Sequence, residues 1–308
     1  MKGALRSMLP STMHVLQRGW LSSNNILFLG QQQTALVDSG YVTHATQTLG
    51  LVAQVLEGRQ LDWLINTHIH SDHCGGNAAL QAAYGCRTFI PAAEAEKVRA
   101  WDQDRLSYAA TGQQCARFNI DATLQGGDAI TLGDMAWQVL AAPGHDPHSL
   151  ILYCPQHRIL ISADALWENG FGVIFPELDG ESGFAEARAT LEMIADLDVA
   201  LVIPGHGRPF TEVTDALSTA FSRLNYLCAD PARNAQNALK VLLKFSLLEH
   251  QQLSLKEVAR IVATTPLMVS TNARHLHRSN AELTTWLIAQ LVRAGAARVD
   301  GELLLNSD

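Results

Sequence analysis

Between Asn66 and Asn77 the chain reads Asn-Thr-His-Ile-His-Ser-Asp-His-Cys-Gly-Gly-Asn, so His68, His70, Asp72 and His73 fall within six residues. Imidazoles and a carboxylate crowded this closely repel one another or lose hydration unless a cation binds them. Three further metal-competent side chains end strand-like runs: Ala141-Ala142-Pro143-Gly144-His145, Ile159-Leu160-Ile161-Ser162-Ala163-Asp164 and Leu201-Val202-Ile203-Pro204-Gly205-His206-Gly207. Two of these runs close on Pro-Gly-His, where glycine lets the backbone turn sharply. Seven such ligands satisfy two metal ions, and imidazole with carboxylate but no thiolate suits zinc, manganese or iron. Isolated histidines such as His14 and His44 carry no comparable signal.

The elements that must position these groups are legible in outline. Met13 to Gly19, Asn25 to Gly30 and Thr34 to Asp38 read as three short strands separated by turn residues. Thr43 to Glu57 has helical apolar spacing, and Leu61 to Asn66 is the strand that delivers the histidine cluster. A short helix over Asn77 to Tyr84, a strand over Arg87 to Pro91 and a polar helix over Glu94 to Tyr108, anchored by Trp101, follow. From Asp128 the pattern is strand-rich: Ala129 to Leu132, Met135 to Ala141, Ser149 to Cys154 and Arg158 to Ser162. Glu181 to Leu197 is an amphipathic helix, and Ala200 to Pro204 a last buried strand. Each half of residues 1–210 thus runs from strands to helices, which predicts an α+β protein, a two-sheet sandwich flanked by helices, rather than one alternating parallel sheet.

Residues 211–308 differ in character. Helices are expected over Glu212 to Leu227, Asn234 to Glu249 and Thr284 to Ala294. Another starts at Ser254, which with Glu257 makes a capping-box signature. Ala297 to Val299 and Leu303 to Leu305 read as a hairpin. Helices followed by a two-strand wing suggest a small winged-helix-like module. Modules of this kind bind DNA in some proteins and serve packing or dimerisation in others. This one lacks a strong basic surface, so nucleic acid is not the expected partner and a homodimer is left open.

The chain has 308 residues, 47% of them apolar, 17% charged, with a net charge of −8. That composition fits a soluble globular protein and disfavours broad capture of nucleic acid or anionic membrane. Five scattered cysteines (Cys74, Cys86, Cys115, Cys154 and Cys228) form no Cys-x-x-Cys pair and no disulfide framework. No signal-peptide pattern stands in the first ten residues and no window is apolar enough for a membrane span, so a cytoplasmic location is expected.

Thr67 to His73 carries the motif Thr-His-x-His-x-Asp-His whole, and with His145, Asp164 and His206 the chain resembles the metallo-β-lactamase superfamily over roughly residues 13 to 210. The resemblance implies an αβ/βα four-layer sandwich with its site where the two sheets meet. It implies that His68, His70 and His145 bind one divalent metal, that Asp72, His73 and His206 bind another, and that Asp164 bridges them, with zinc as the first expectation. Asp38, in Val37-Asp38-Ser39-Gly40, matches the position that orients a ligand imidazole. A hydroxide bridging the two metals would then attack a carbonyl or phosphorus centre, with Asp72 accepting or shuttling the proton.

The metal-ligand pattern resembles glyoxalase II-type thioesterases, whereas the clinical β-lactamases lack the bridging Asp. The aromatic segment Ala165 to Pro176 would suit an acyl or aromatic group beside the metals, or else packs against the C-terminal helices. A small-molecule ester or thioester is therefore the expected substrate. The alternative, drawn from lactamase-like hydrolases with a winged-helix-like tail, is a metal-dependent phosphodiesterase or endoribonuclease. Two side chains beside the motifs are ambiguous: Cys74 is a soft ligand or a packed residue, and His148, with Asp146, lines the pocket or lies on the surface.

Overall fold

Strand residues here alternate between two kinds of apolar environment. The computed structural model describes residues 8–307; residues 1–7, where most of the signal-peptide reading falls, and residue 308 lie outside the described part. The first sheet has six strands in chain order: β1 (Met13–Leu16), β2 (Asn25–Leu29), β3 (Thr34–Val37), β4 (Trp63–Ile65), β5 (Arg87–Pro91) and β6 (Ala122–Leu124). The second runs β11 (Leu201–Pro204), β10 (Ile159–Ala163), β9 (Leu150–Cys154), β8 (Met135–Ala141), β7 (Ala129–Leu132). Ile26, Phe28, Val37 and Ile65 from the first sheet meet Trp137, Leu152, Ile161 and Ile203 from the second in the central core. The intervening residues face outward, as the two-residue period of a strand requires.

Those outward residues are covered by helices. Leu27, Leu36 and Leu64 pack with Val52 and Leu56 of α1 (Ala45–Leu56) and with Leu80. Thr48, Val52 and Leu56 recur every fourth residue, and α1 stops where Glu57 takes a left-handed conformation (φ 50) before Gly58. The short helices α2 (Ser71–Cys74) and α3 (Asn77–Tyr84) follow β4, and α4 (Ala95–Ala100) and α5 (Tyr108–Thr111) follow β5. After β10 come α6 (Pro176–Asp179) and α7 (Phe184–Asp196). On the other flank, Ile151, Tyr153, Leu160 and Val202 pack against Leu191 and Ile194 of α7 and against Leu217, Ala220 and Leu224 of α8 (Val213–Cys228). The four layers expected of an αβ/βα sandwich are present.

One expected helix is broken. Instead of running from Glu94 to Tyr108, α4 ends at Trp101, which adopts a left-handed conformation (φ 54). The Asp102 carboxylate then accepts from Arg105 N at 3.3 Å. Residues 102–105 are all polar, so no apolar stripe outweighs this local alternative to the helix. Strand β6 and helix α2 carry no clear signal in the sequence.

The C-terminal segment comprises α9 (Pro231–His250), β12 (Gln252–Ser254), α10 (Leu255–Thr264), α11 (Pro266–Thr271), α12 (Asn280–Arg293), β13 (Ala297–Asp300) and β14 (Leu303–Asn306). The anticipated hairpin is part of an antiparallel three-stranded sheet in the order β12-β14-β13, because Leu303 to Leu305 also pair with Ser254 to Gln252. Ser254 and Ser279 each complete a capping box, with Glu257 and Glu282, at the starts of α10 and α12. This segment has its own apolar core, and Val173 from the loop after β10 and Leu178 from α6 insert into it. Among the described residues no helix is long and apolar enough to cross a membrane.

Strand direction explains where function gathers. Strands β3, β4 and β5 are mutually parallel, as are β10 and β11, while β8 and β10 each pair antiparallel with β9 and so point the same way. The loops leaving β3, β4, β8, β10 and β11 therefore emerge on common sheet edges, where layered folds collect their functional residues.

Candidate metal centre

Each of those loops delivers part of one cluster. Asp38 follows β3 with a left-handed backbone (φ 57), a conformation Asp tolerates better than most residues. Its Oδ1 accepts from Thr67 N at 2.9 Å, and its Oδ2 accepts from Thr67 Oγ1 at 2.8 Å and faces His73 Nδ1 at 2.8 Å. One carboxylate thus fixes the backbone entering the histidine motif and the ring of its last histidine. His70 then begins α2, which carries Asp72 and His73. The His73 carbonyl is held by Ser39 N (2.7 Å) and Asn66 Nδ2 (3.1 Å).

The later loops are pinned as firmly. His145 Nδ1 donates to Val173 O at 2.6 Å, which leaves Nε2 directed at Asp164 Oδ2 (3.4 Å) and His70 Nδ1 (2.9 Å). Asn24 reaches across to the His206 loop: its N–H donates to Gly205 O (2.7 Å) and its Nδ2 to Pro204 O and Gly207 O. The two Pro-Gly-His glycines differ. Gly144 has φ 143, the turn expected of it. Gly205 is needed for space instead, since a Cβ there would collide with Asp164 Oδ1 and lie 3.0 Å from His73 Cε1.

All seven side chains singled out in the sequence come together. Asp164 sits among the rings, 3.5 Å from His73 Nε2 through Oδ1, and 3.9 Å from His206 Nε2; His206 Nε2 is also 3.0 Å from Asp72 Oδ2. Ligand atoms of His68, His70 and His145 lie within 4.8 Å of one another, as do those of Asp72, His73 and His206, and of His68, His73 and Asp164. His68 Nε2 and His73 Nε2 are buried without a hydrogen-bond partner, as is His206 Nδ1. Buried polar atoms left unpaired are destabilising, so a shared partner is implied.

The electrostatics point the same way. Burial holds His70 and His145 down to about 4, and burial with the neighbouring His73 pushes His68 well below its ordinary value, so these rings present lone pairs at neutral pH. At His73 burial is outweighed by Asp164 and Asp38, which hold the imidazole well above its ordinary value. Burial opposes ionisation of Asp164 and Asp72 also, but the surrounding imidazoles outweigh it and hold both carboxyls low. Two anions among orphaned imidazoles demand positive charge, and the His/Asp clusters suit a dinuclear metal site.

The ambiguous neighbours resolve on geometry. Cys74 belongs to none of these groups; its Sγ faces Ile69 O, His70 O and Tyr108 Oη from behind, and Cys115 Sγ is 3.8 Å away, a proximity the spacing of the cysteines hid. His148 bonds Glu94 Oε1 at 2.5 Å beside Asp146, forming a small cluster of its own to which Lys97 also pairs. Trp20, unmarked in the sequence, stacks on His206 with ring centres 5.4 Å apart, and Phe175 meets His70 and His145 edge-on. Phe175 lies in the aromatic segment flagged after Asp164. No spacing signal marks Trp20.

The cluster opens into a cavity of about 760 Å³. Trp167, Phe171, Val173 and Phe175 line it, together with Phe245 and Leu248 of α9. The segment after Asp164 thus lines the cavity and also packs against the C-terminal helices, since Val173 and Phe175 belong to the C-terminal core.

Comparison with known proteins places this arrangement. The profile of the metallo-beta-lactamase superfamily matches residues 18–206. A hydroxyacylglutathione hydrolase of Hyphomonas neptunium is 28% identical over 148 residues, which are 44% of this chain and 50% of that protein. Its counterpart from Brucella anthropi is 32% identical over 118 residues, 38% of each. The chain thus spans half or less of the length of these curated relatives. Among solved structures, a metallo-beta-lactamase family protein from Thermus thermophilus has a TM-score of 0.57 at 19% identity, covering 96% of this chain and 99% of that one. A protein solved in a di-iron-bound form has a TM-score of 0.55 at 24% identity, covering 67% and 98%. At such identities the likeness is one of fold. With a profile match that takes in well over half the residues and all seven clustered side chains, the chain belongs to the metallo-β-lactamase superfamily.

Proposed function

We propose that the protein is a dinuclear metal-dependent hydrolase of a small-molecule ester or thioester. The observation that carries this reading is the pair of three-residue ligand sets, His68-His70-His145 and Asp72-His73-His206, with Asp164 between them. These residues would hold two divalent ions, zinc first, with iron or manganese as alternatives. When bound, such ions polarise a carbonyl and bring the pKa of a water toward about 7. The chain's own residues have separable tasks. Asp38 and Val173 O fix the tautomers of His73 and His145 through their Nδ1 atoms, so that Nε2 faces the site. Asp72, part-exposed and facing the cavity, is placed to accept a proton at Oδ2 and pass it to solvent. Trp20, Trp167 and Phe175 line the cavity beside the cluster and would pack an acyl group next to the reacting carbonyl.

The hydroxyacylglutathione hydrolases among the relatives favour a thioester over a phosphodiester substrate. A panel of acyl-glutathione, acyl-coenzyme A and short RNA substrates tests the reading. Thioester turnover that disappears in His70→Ala and Asp164→Ala is expected, and cleavage of RNA alone would overturn it.

A further inference from the structure

Two thiols that the cluster does not use face each other beside it. Cys74 ends α2, next to His73, and is fully buried, whereas Cys115 is half-buried between the exposed Gln114 and Ala116. Their Sγ atoms are 3.8 Å apart, although the residues lie 41 positions apart in the chain. A disulfide needs about 2.05 Å, so the pair has to close by about 1.8 Å. The helix side is fixed, because a Cβ on Gly75, directly after Cys74, would collide with Val42 N and Ser71 O. Cys115 has room to shift, since residues 113–121 form neither helix nor strand. The Tyr108 hydroxyl donates to Ile69 O at 2.9 Å and stands 3.2 Å from Cys74 Sγ. With Ile69 O and His70 O it surrounds the Cys74 thiol and holds its place facing Cys115.

We propose that Cys74 and Cys115 are a redox modification site, which a hydroperoxide converts to a reversible disulfide tying the cavity wall to the metal-binding helix. The more accessible Cys115 sulfur attacks a peroxide oxygen and becomes a sulfenic acid. The O–O bond breaks, and the leaving oxygen takes the thiol proton and departs as water or an alcohol. Cys74 Sγ then attacks that sulfur: the S–S bond forms, the S–O bond breaks, and hydroxide leaves with the Cys74 proton as water. The two thiols lose two electrons and the peroxide gains them. Gln113, two residues before Cys115, accepts from Ser71 Oγ at 2.5 Å and lines the cavity with Thr111, and Gln114 N donates to Tyr41 Oη at 3.1 Å. Drawing Cys115 toward α2 shifts these contacts beside Asp72, so the oxidised protein is the slower catalyst. Only that last step rests on the hydrolase reading.

The test is peptide mapping by mass spectrometry of the full-length zinc-loaded protein carrying Cys228→Ser, which removes the exposed thiol. After hydrogen peroxide and a maleimide quench, two of the four thiols left from five should disappear together. One cross-linked peptide pair should contain Cys74 and Cys115 and revert with dithiothreitol. Dimedone present from the start should label Cys115 and not Cys74. Turnover of whichever thioester the substrate panel identifies should fall about 10-fold on oxidation and recover with dithiothreitol. In Cys115→Ser peroxide should leave turnover unchanged. Sulfinic or sulfonic acid at Cys115 without the cross-link, a cross-link through another cysteine, or dimedone on Cys74 would overturn the modification site. The cross-link with unchanged turnover would overturn its coupling to the cavity. The cross-link in a protein that hydrolyses no thioester would instead sink the hydrolytic reading and leave the disulfide standing.

Discussion

Replacing Asp38 by Asn is the most informative single change near the cluster. Asparagine keeps the shape, tolerates the left-handed backbone at this position (φ 57) and can still accept from Thr67 N through Oδ1. What changes is the atom facing His73 Nδ1 at 2.8 Å, which becomes an amide nitrogen in place of Oδ2. An amide N–H must donate there, so the imidazole proton moves to Nε2, the atom now 3.5 Å from Asp164 Oδ1. His73 then offers the site an N–H in place of a lone pair. Losing one charge-assisted bond at a site that is 2% exposed should lower stability by about 1.5–3 kcal/mol. The effect on metal should be larger in kind: affinity for one of the two ions falls about 10- to 100-fold, while the other is retained. Elemental analysis after dialysis against graded chelator reads this directly, with a fall from two ions per chain toward one. Two ions held as tightly as in the wild type would refute the claim that Asp38 sets the His73 tautomer.

Other changes probe packing, protonation and the C-terminal segment. Gly205→Ala should abolish turnover and cost about 1–3 kcal/mol in denaturant unfolding, because its Cβ has only the space Asp164 and His73 occupy. Stability equal to the wild type would show that the loop can yield. Metal-free protein should lose stability as pH falls from about 6.5 to about 4. His70 and His145 resist protonation until about 4 when folded but accept it near 6.5 when unfolded, so the unfolded state binds more protons in that window. The slope approaches about 1.4 kcal/mol per pH unit for each ring. His73, raised when folded, opposes this only near pH 6.5, where its unfolded ring is still partly deprotonated, and adds nothing further down, so a urea midpoint unchanged between pH 6.5 and 4.5 would contradict the assignment. Ser254→Ala removes one capping box and should lower stability by about 1 kcal/mol without altering turnover. A loss of turnover at full stability would tie the start of α10 to the active site.

The site was more legible than its surroundings because the ligands are consecutive in the motif or end strands of unmistakable pattern. His145, Asp164 and His206 each follow a run of buried apolar residues, and parallel or doubly antiparallel pairing carries those ends to common edges. The contribution of Trp20 was hidden, since its stacking on His206 depends on a turn between β1 and β2 that no periodicity encodes. The broken helix at Trp101 and the third strand β12 turned on local capping and on long-range pairing, which compete with propensity over stretches too short for a pattern to decide.

Anomalous diffraction from crystals of protein purified without chelator tests the central claim most directly. Two metal peaks are expected, one among His68, His70 and His145 and one among Asp72, His73 and His206, with Asp164 in contact with both. A single peak, or none within the cluster in metal-replete protein, would contradict the dinuclear assignment and the hydrolytic function built on it.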